Sequence, residues 1–180
     1  MDDLTTLPDL PPHTELIDGS LVFVSPQRRF HARMIDVLVR GVGATLPHTM
    51  DVEREMTVLL DRRNAPEPDV LVVRADSTAD LDMEQTRFMA SDVLLAVEVV
   101  SPDSEARARH TKPRKYAAAG IPNFWLVEMA GADSHPVVRV YELDPVSGTH
   151  AVTGIHHGQL KVSVPFTIDI DVSKEALRNR

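Results

Sequence analysis

The chain of 180 residues contains no cysteine. This absence excludes disulfide bonds, a thiolate nucleophile, and zinc or iron–sulfur sites with cysteine ligands. Long apolar segments are also missing, because the longest one, at 93–100, is interrupted by Glu98 and is far shorter than the ~18 residues of a membrane span. The start, MDDLTTLPDL, lacks the basic and then apolar order of a signal peptide. We therefore expect a cytoplasmic protein with no membrane segment.

Basic charge is scarce as well. The 19 Lys and Arg residues against 27 Asp and Glu give a net charge of -8, which disfavours non-specific attraction to nucleic acid. The basic residues nevertheless concentrate in two segments, at 27–33 and 103–116. Each segment is either a solvated helix face or a surface that contacts nucleic acid. The candidate nucleic-acid contacts are Arg28, Arg29, His31, Arg33, Arg107, Arg109 and Lys115.

Hydrophobic periodicity predicts the order of the elements. A hairpin at 15–24 turns at Asp18-Gly19, and an amphipathic helix follows at 27–46. Further strands are predicted at 51–60, 70–73, 93–100, 123–129, 137–143 and 150–155, and the alternation at 162–170 predicts another. The segment 104–119 is helical, but Pro113 predicts two pieces, of which the second ends at Gly120.

This order predicts an α+β fold around one mixed sheet, with an α-β-β-β-α-β core, an N-terminal hairpin and added C-terminal antiparallel strands. No repeat or linker divides the sequence. We expect one domain over residues 1–180, with an N-terminal arm at 1–13 and the added strands at 146–180. Because exposed strands at both ends of a sheet favour self-association, we also expect a homodimer.

Glu98 is a carboxylate inside an apolar strand, and an unpaired buried charge is costly. If the strand at 70–73 is its antiparallel neighbour, Asp69 lies close to Glu98. A Mg²⁺ ion would offset the repulsion between the two carboxylates, with the backbone carbonyl of Val99 as a third oxygen ligand. The alternative is a buried ion pair of Glu98 with Lys112 or an arginine, in which case Asp69 only ends a strand.

Two carboxylates, a metal ion and a lysine beside a basic surface suit phosphodiester hydrolysis. The metal would activate water, and the lysine would orient the attacking hydroxide and offset developing charge. The candidate catalytic residues are therefore Asp69, Glu98 and Lys112.

The order of elements, with Pro68-Asp69 and the EVV sequence at 98–100, resembles the PD-(D/E)XK nuclease superfamily. A narrower resemblance, over about residues 14–145, is to the bacterial Uma-two family of restriction-endonuclease-like proteins. Its motifs are ELIDG at 15–19, Ser25-Pro26, His31, PDV at 68–70, VEVVSP at 97–102, Lys112, Tyr116, GIP at 120–122 and Phe124-Trp125. The resemblance implies a restriction-endonuclease-like core and a Mg²⁺-dependent endonuclease, with Mn²⁺ as a substitute and DNA as the expected substrate.

The resemblance also implies roles for single residues. Asp69 and Glu98 match the metal-binding carboxylates of the family. Val100 stands where the superfamily usually has its lysine, and Lys112 matches a lysine that the following helix supplies instead. Glu15 matches an acid near the metal, for which an exposed strand residue is the alternative. His31 matches a histidine of the first helix, for which a surface histidine is the alternative.

One position departs from the family pattern. Four residues before its lysine the family usually has an aspartate, and this chain has Ala108. An Asp–Lys pair at this spacing would orient the lysine, and Glu105 is a candidate substitute. The departure supports a second hypothesis, in which a catalytically weakened nuclease fold serves as a nucleic-acid-binding or protein-interaction module. We assign Tyr116 and Trp125 to structure.

Overall fold

The computed structural model describes residues 10–24, 27–78, 84–101, 105–131 and 134–178. The Ser25-Pro26 motif, Pro102, the beginning of the second predicted helix at 104 and most of the N-terminal arm lie outside these residues. The helices are α1 (Arg29–Gly43) and α2 (Lys112–Ala118), and a π-helical turn (Arg107–Thr111) precedes α2. The strands are β1 (Glu15–Ile17), β2 (Ser20–Val22), β3 (Met50–Arg54), β4 (Thr57–Leu59), β5 (Val70–Arg74), β6 (Arg87–Met89), β7 (Val93–Val99), β8 (Asn123–Ala130), β9 (His135–Asp144), β10 (Thr149–His157), β11 (Gln159–Val162) and β12 (Ile168–Asp171).

A six-stranded mixed sheet forms the centre of the fold, in the order β10-β9-β8-β7-β5-β3. Strands β7 and β8 are parallel and are connected through α2, whereas the other neighbouring pairs are antiparallel. The chain order α1, β3, β5, β7, α2, β8 confirms the predicted α-β-β-β-α-β core. The N-terminal hairpin is also confirmed, with Asp18 and Gly19 at positive φ in its turn.

The two faces of the sheet are covered by different elements, which divides the buried apolar residues into two clusters. Helix α1 packs on one face together with the β11–β12 hairpin. Helix α2 and the π-helical turn before it pack on the other face, where Tyr116 contacts Phe124. Because side chains alternate along a strand, Leu95 and Val97 of β7 face α1, whereas Ala96 and Glu98 face α2. Glu98 therefore lies beneath the helix that carries Lys112.

Two predicted strands were wrong in their extent. The strand at 51–60 divides at Glu55, whose φ of 51° is outside the range of a strand, and β4 leaves the main sheet to pair with β6. The alternation at 162–170 divides into β11 and β12, which pair as a hairpin. Pro165 lies between them, and a proline has no N–H to donate to a ladder.

Two helical pieces are present, and the second begins at Lys112, near Pro113 as predicted, but the first is a π-helical turn that continues into it. The backbone stays right-handed helical at Ala106, Thr111 and Lys112, so the π-helical turn runs directly into α2. A π-helical turn lengthens the hydrogen-bonding interval, which accommodates a proline that lacks an N–H. Gly120 ends the helix at a φ of 79°, as predicted. Among the described residues, none of the helices combines the length and apolar character that crossing a membrane requires.

Candidate active site

The site lies where β5 begins and β7 ends. The register of the two strands is antiparallel, as predicted, with Val70 opposite Val97. The N–H of Asp69 donates to the carbonyl of Val97 at 3.0 Å, and the N–H of Val99 donates to Oδ2 of Asp69 at 2.6 Å. The sheet thus brings Asp69 next to the strand end that carries Glu98.

His31 holds the other oxygen of the Asp69 carboxylate. Its Nε2 lies 2.9 Å from Oδ1 of Asp69, and both side chains are largely buried. His31 belongs to the first turn of α1, whose N-terminal end is packed beside the start of β5. The alternative of a surface histidine is wrong, because this imidazole contacts the carboxylate directly.

Lys112 joins two buried carboxylates. Its Nζ lies 2.9 and 2.8 Å from the two oxygens of Glu98 and 2.7 Å from Oε1 of Glu15, and only 4% of Lys112 is exposed. The same Glu15 oxygen accepts a bond from the N–H of Glu67 at 2.8 Å. Glu15 is therefore not an exposed strand residue. The buried ion pair considered for Glu98 is present, and it lies beside Asp69.

Tyr116 is a contact of Glu98 that the sequence did not reveal. Its hydroxyl donates to Oε1 of Glu98 at 2.6 Å, and the whole side chain is buried. Lys112 and Tyr116 are four residues apart on one helix, so both side chains reach the same carboxylate. The four-residue spacing of Lys112 and Tyr116, on a helix predicted to cover the strand of Glu98, was the sequence feature that could have predicted this contact.

Replacing Tyr116 with phenylalanine is expected to lower the free energy of unfolding by about 1.5–3 kcal/mol, the range for a hydrogen bond to a charged group. Urea unfolding followed by circular dichroism measures the change. Tyr141→Phe is the matched control, because its ring contacts Phe124 as the ring of Tyr116 does. Equal losses in the two variants would show that the bond to Glu98 contributes nothing specific.

Ala108 is part of the apolar packing around the helix that carries Lys112. Its side chain is buried in the apolar cluster on the α2 face. The suggested substitute, Glu105, is wrong, because Glu105 pairs with Arg109 at 3.2 Å. Lys112 is oriented by Glu98 of β7 and Glu15 of β1 rather than by an acid on its own helix.

Electrostatics favour cationic partners for the carboxylates. Burial disfavours the charged form of Lys112, but Glu98, Glu15 and Asp69 raise its pKa above the ordinary value. Burial raises the pKa of Glu98, Lys112 opposes this effect, and the charges of Asp69 and Glu15 add to it. Burial and the charge of Glu98 raise the pKa of Tyr116 well above its usual range, so its hydroxyl keeps the proton that it donates.

A cavity of about 380 Å³ opens onto these groups. It is lined by five carboxylates, by two bases and by two histidines, which are Glu15, Glu55, Glu67, Asp69, Glu98, Arg107, Lys112, His13 and His31. Carboxylate oxygens are the donors that Mg²⁺ and Mn²⁺ prefer, and the acids outnumber the bases, so this donor set fits a divalent cation. Over the residues that the structure describes, no three acidic or histidine side chains are arranged as a complete metal-binding cluster.

Several of the basic residues predicted to contact nucleic acid are held by partners within the chain. Arg109 pairs with Glu128 at 2.5 Å, Lys115 pairs with Asp18 at 2.5 Å, and Arg33 donates to the carbonyl of Leu177 at 2.9 Å. These three basic side chains are each paired within the chain, and Arg109 is also exposed at the surface. Three other basic residues are exposed or line cavities, namely Arg28, Arg29 and Arg107.

The fold and the carboxylate-lined cavity define a restriction-endonuclease-like protein of the α+β class. The chain belongs to the Uma2 family, described as "Putative restriction endonuclease", which it matches over residues 1–173. In fold it is similar to a crystal structure titled a putative nuclease belonging to DUF820, from Anabaena variabilis ATCC 29413. That similarity has a TM-score of 0.66 at 17% identity and covers 91% of this chain and 88% of the other. No protein with curated function matches the chain.

Proposed function

We propose that this protein is a metal-dependent endonuclease that hydrolyses phosphodiester bonds of DNA, with Asp69, Glu98 and Lys112 as its catalytic residues. The observation that carries the proposal is the buried Lys112 ammonium, which two carboxylates share at the wall of a cavity that Asp69 also lines. A fixed cation beside acidic oxygen donors suits a phosphoryl group that gains negative charge during reaction. The nuclease descriptions of the family and of the similar structure support the same activity.

Mg²⁺ is the proposed cofactor, with Mn²⁺ as a substitute. Asp69, Glu98, Glu15 and the backbone carbonyl of Val99 would hold it, because all four residues line the cavity. Such an ion supplies an activated water and polarises a phosphoryl oxygen.

The side chains around these donors keep them in position. His31 and the N–H of Val99 each hold one oxygen of Asp69. Lys112 and Tyr116 hold Glu98, while Glu15 also binds Lys112. Lys112 thereby brings a positive charge to the cavity wall, where it offsets charge on a bound phosphate. Preorganisation of this kind keeps the charged groups from rearranging during the reaction.

We also propose a surface that contacts nucleic acid, an oligomeric state and a cellular location for the enzyme. The exposed Arg28 and Arg29 at the start of α1 are placed to contact the nucleic-acid backbone outside the cavity. Strands β3 and β10 end the main sheet in the part of the chain that the structure describes, and edge strands of this kind support a homodimer. We place the protein in the cytoplasm, where nucleic acid and Mg²⁺ are both present.

A second candidate function is a binding module with weakened chemistry. It is favoured by the fact that all four carboxylate oxygens of Asp69 and Glu98 already contact donors of the protein. In that case the chain would associate with nucleic acid without a divalent cation and would not cleave it.

Incubation with labelled single- and double-stranded DNA and RNA tests the proposal. We expect cleavage of DNA with Mg²⁺ or Mn²⁺, none with EDTA, and background cleavage by Asp69→Asn purified in the same way. The matched control is Asp76→Asn, because Asp76 is exposed beyond the other end of β5. Cleavage by Asp69→Asn at the wild-type rate would contradict the role of Asp69, and association without cleavage would favour the binding module.

A further inference from the structure

Arg107 has an unusual environment in the active-site cavity. It lines this cavity together with Asp69, Glu98 and Lys112. Its Nε is buried and has no hydrogen-bond partner. Within the described parts of the chain, its guanidinium also takes part in no ion pair. A buried guanidinium donor without an acceptor is costly, so its presence needs a physical reason.

The missing partner is not explained by a shortage of acids. The cavity is lined by more carboxylates than bases, and yet each of these five carboxylates contacts another group of the chain. The contacts are Glu98 and Glu15 with Lys112, Asp69 with His31, Glu67 with His13 and Glu55 with Arg54. None of the described residues therefore accepts a hydrogen bond from Nε of Arg107.

The local backbone gives a second reason to look for a ligand. Arg107 is the first residue of the π-helical turn that leads into Lys112. Such turns are uncommon and are often found at functional sites. The turn places a guanidinium and an ammonium of one continuous helical segment at the wall of the same cavity.

We propose that Arg107 binds the phosphate of the substrate inside the cavity, by donating to the non-bridging oxygens of a phosphodiester. A planar guanidinium can form two parallel hydrogen bonds to a phosphate, which makes arginine suited to this contact. The inference rests on the proposed function for the substrate class. It explains how a cavity with an excess of acidic residues admits an anion, because Arg107 supplies a cation that pairs with none of the carboxylates the structure describes.

Binding of a fluorescein-labelled, mixed-sequence DNA oligonucleotide tests the inference. Fluorescence anisotropy in Ca²⁺ measures Kd for the wild type, Arg107→Gln, Arg107→Lys and the control Arg114→Gln. Arg114 is an exposed arginine seven positions further along the same helical segment. We expect Arg107→Gln to weaken binding about tenfold and to reduce the slope of log Kd against log salt by about one. Arg107→Lys should lie between it and the wild type, and Arg114→Gln should stay within about twofold of the wild type.

Melting temperature and cleavage complete the test. Because Arg107→Gln removes an unpartnered donor, it should melt at or above the temperature of the wild type, which separates ligand binding from a structural role. Wild-type affinity and cleavage in Arg107→Gln would overturn this inference and leave the proposed endonuclease standing. If the wild type binds the oligonucleotide without cleaving it, and Arg107→Gln binds it more weakly, the phosphate contact would be supported and the proposed hydrolysis overturned. A wild type that binds no oligonucleotide would overturn both.

Discussion

Replacing Lys112 with alanine is expected to lower the free energy of unfolding by about 3–5 kcal/mol, the range for removing one partner of a buried ion pair. The variant is also expected to lose phosphodiester hydrolysis. Lys112 is almost fully buried, and its ammonium is the shared partner of Glu98 and Glu15. Without it, two carboxylates remain buried in contact with a cavity that is already acidic. Urea unfolding gives the stability change, and the cleavage assay gives the loss of activity.

Lys115→Ala is the matched control for this prediction. Lys115 lies on the same helix, and its pair with Asp18 is at the surface, with 68% of the Asp18 side chain exposed. Surface pairs contribute about 0–1 kcal/mol, so this variant should stay close to the wild type. Combining Lys112→Ala with Glu98→Gln should restore part of the lost stability, because it removes one of the uncompensated charges. Equal losses for Lys112→Ala and Lys115→Ala would contradict the buried charge network.

Replacing Glu98 with glutamine is expected to abolish the binding of Mn²⁺ and, with it, the cleavage of DNA. The substitution keeps the shape of the side chain and an oxygen for the Tyr116 hydroxyl, but it removes the negative charge that a divalent cation requires. Isothermal titration of Mn²⁺ measures the effect without any knowledge of the substrate. We expect binding heat for the wild type and none for the variant.

Two controls make this titration interpretable. Glu142→Gln changes a carboxylate that lines a different cavity, and it should bind Mn²⁺ as the wild type does. Thermal unfolding of Glu98→Gln should show one cooperative transition, which establishes that lost binding is not lost folding. Mn²⁺ binding of unchanged affinity in Glu98→Gln would remove Glu98 from the proposed metal site.

Much of the architecture could be predicted from local patterns. Alternation and helical periodicity were sufficient to place α1, β5, β7 and β8, because each of these elements buries a continuous apolar face. The same patterns missed the division of strand 51–60. A positive φ is uncommon for a residue other than glycine, so nothing in the sequence indicates that Glu55 adopts one. They also missed the π-helical turn, because Pro113 signals an interruption of helical hydrogen bonding but not how the backbone resolves it.

Some features of the candidate site could likewise be predicted from the sequence, and others could not. By itself, the sequence determined that Glu98 needs a partner, because a carboxylate in an apolar strand is costly wherever the strand lies. It also placed Asp69 next to that strand through the expected antiparallel pairing. Only the tertiary structure decided that Lys112 bridges Glu98 and Glu15 and that His31 holds Asp69. These contacts join segments that are far apart in the chain, and local periodicity carries no information about which distant side chains meet when the helices cover the sheet.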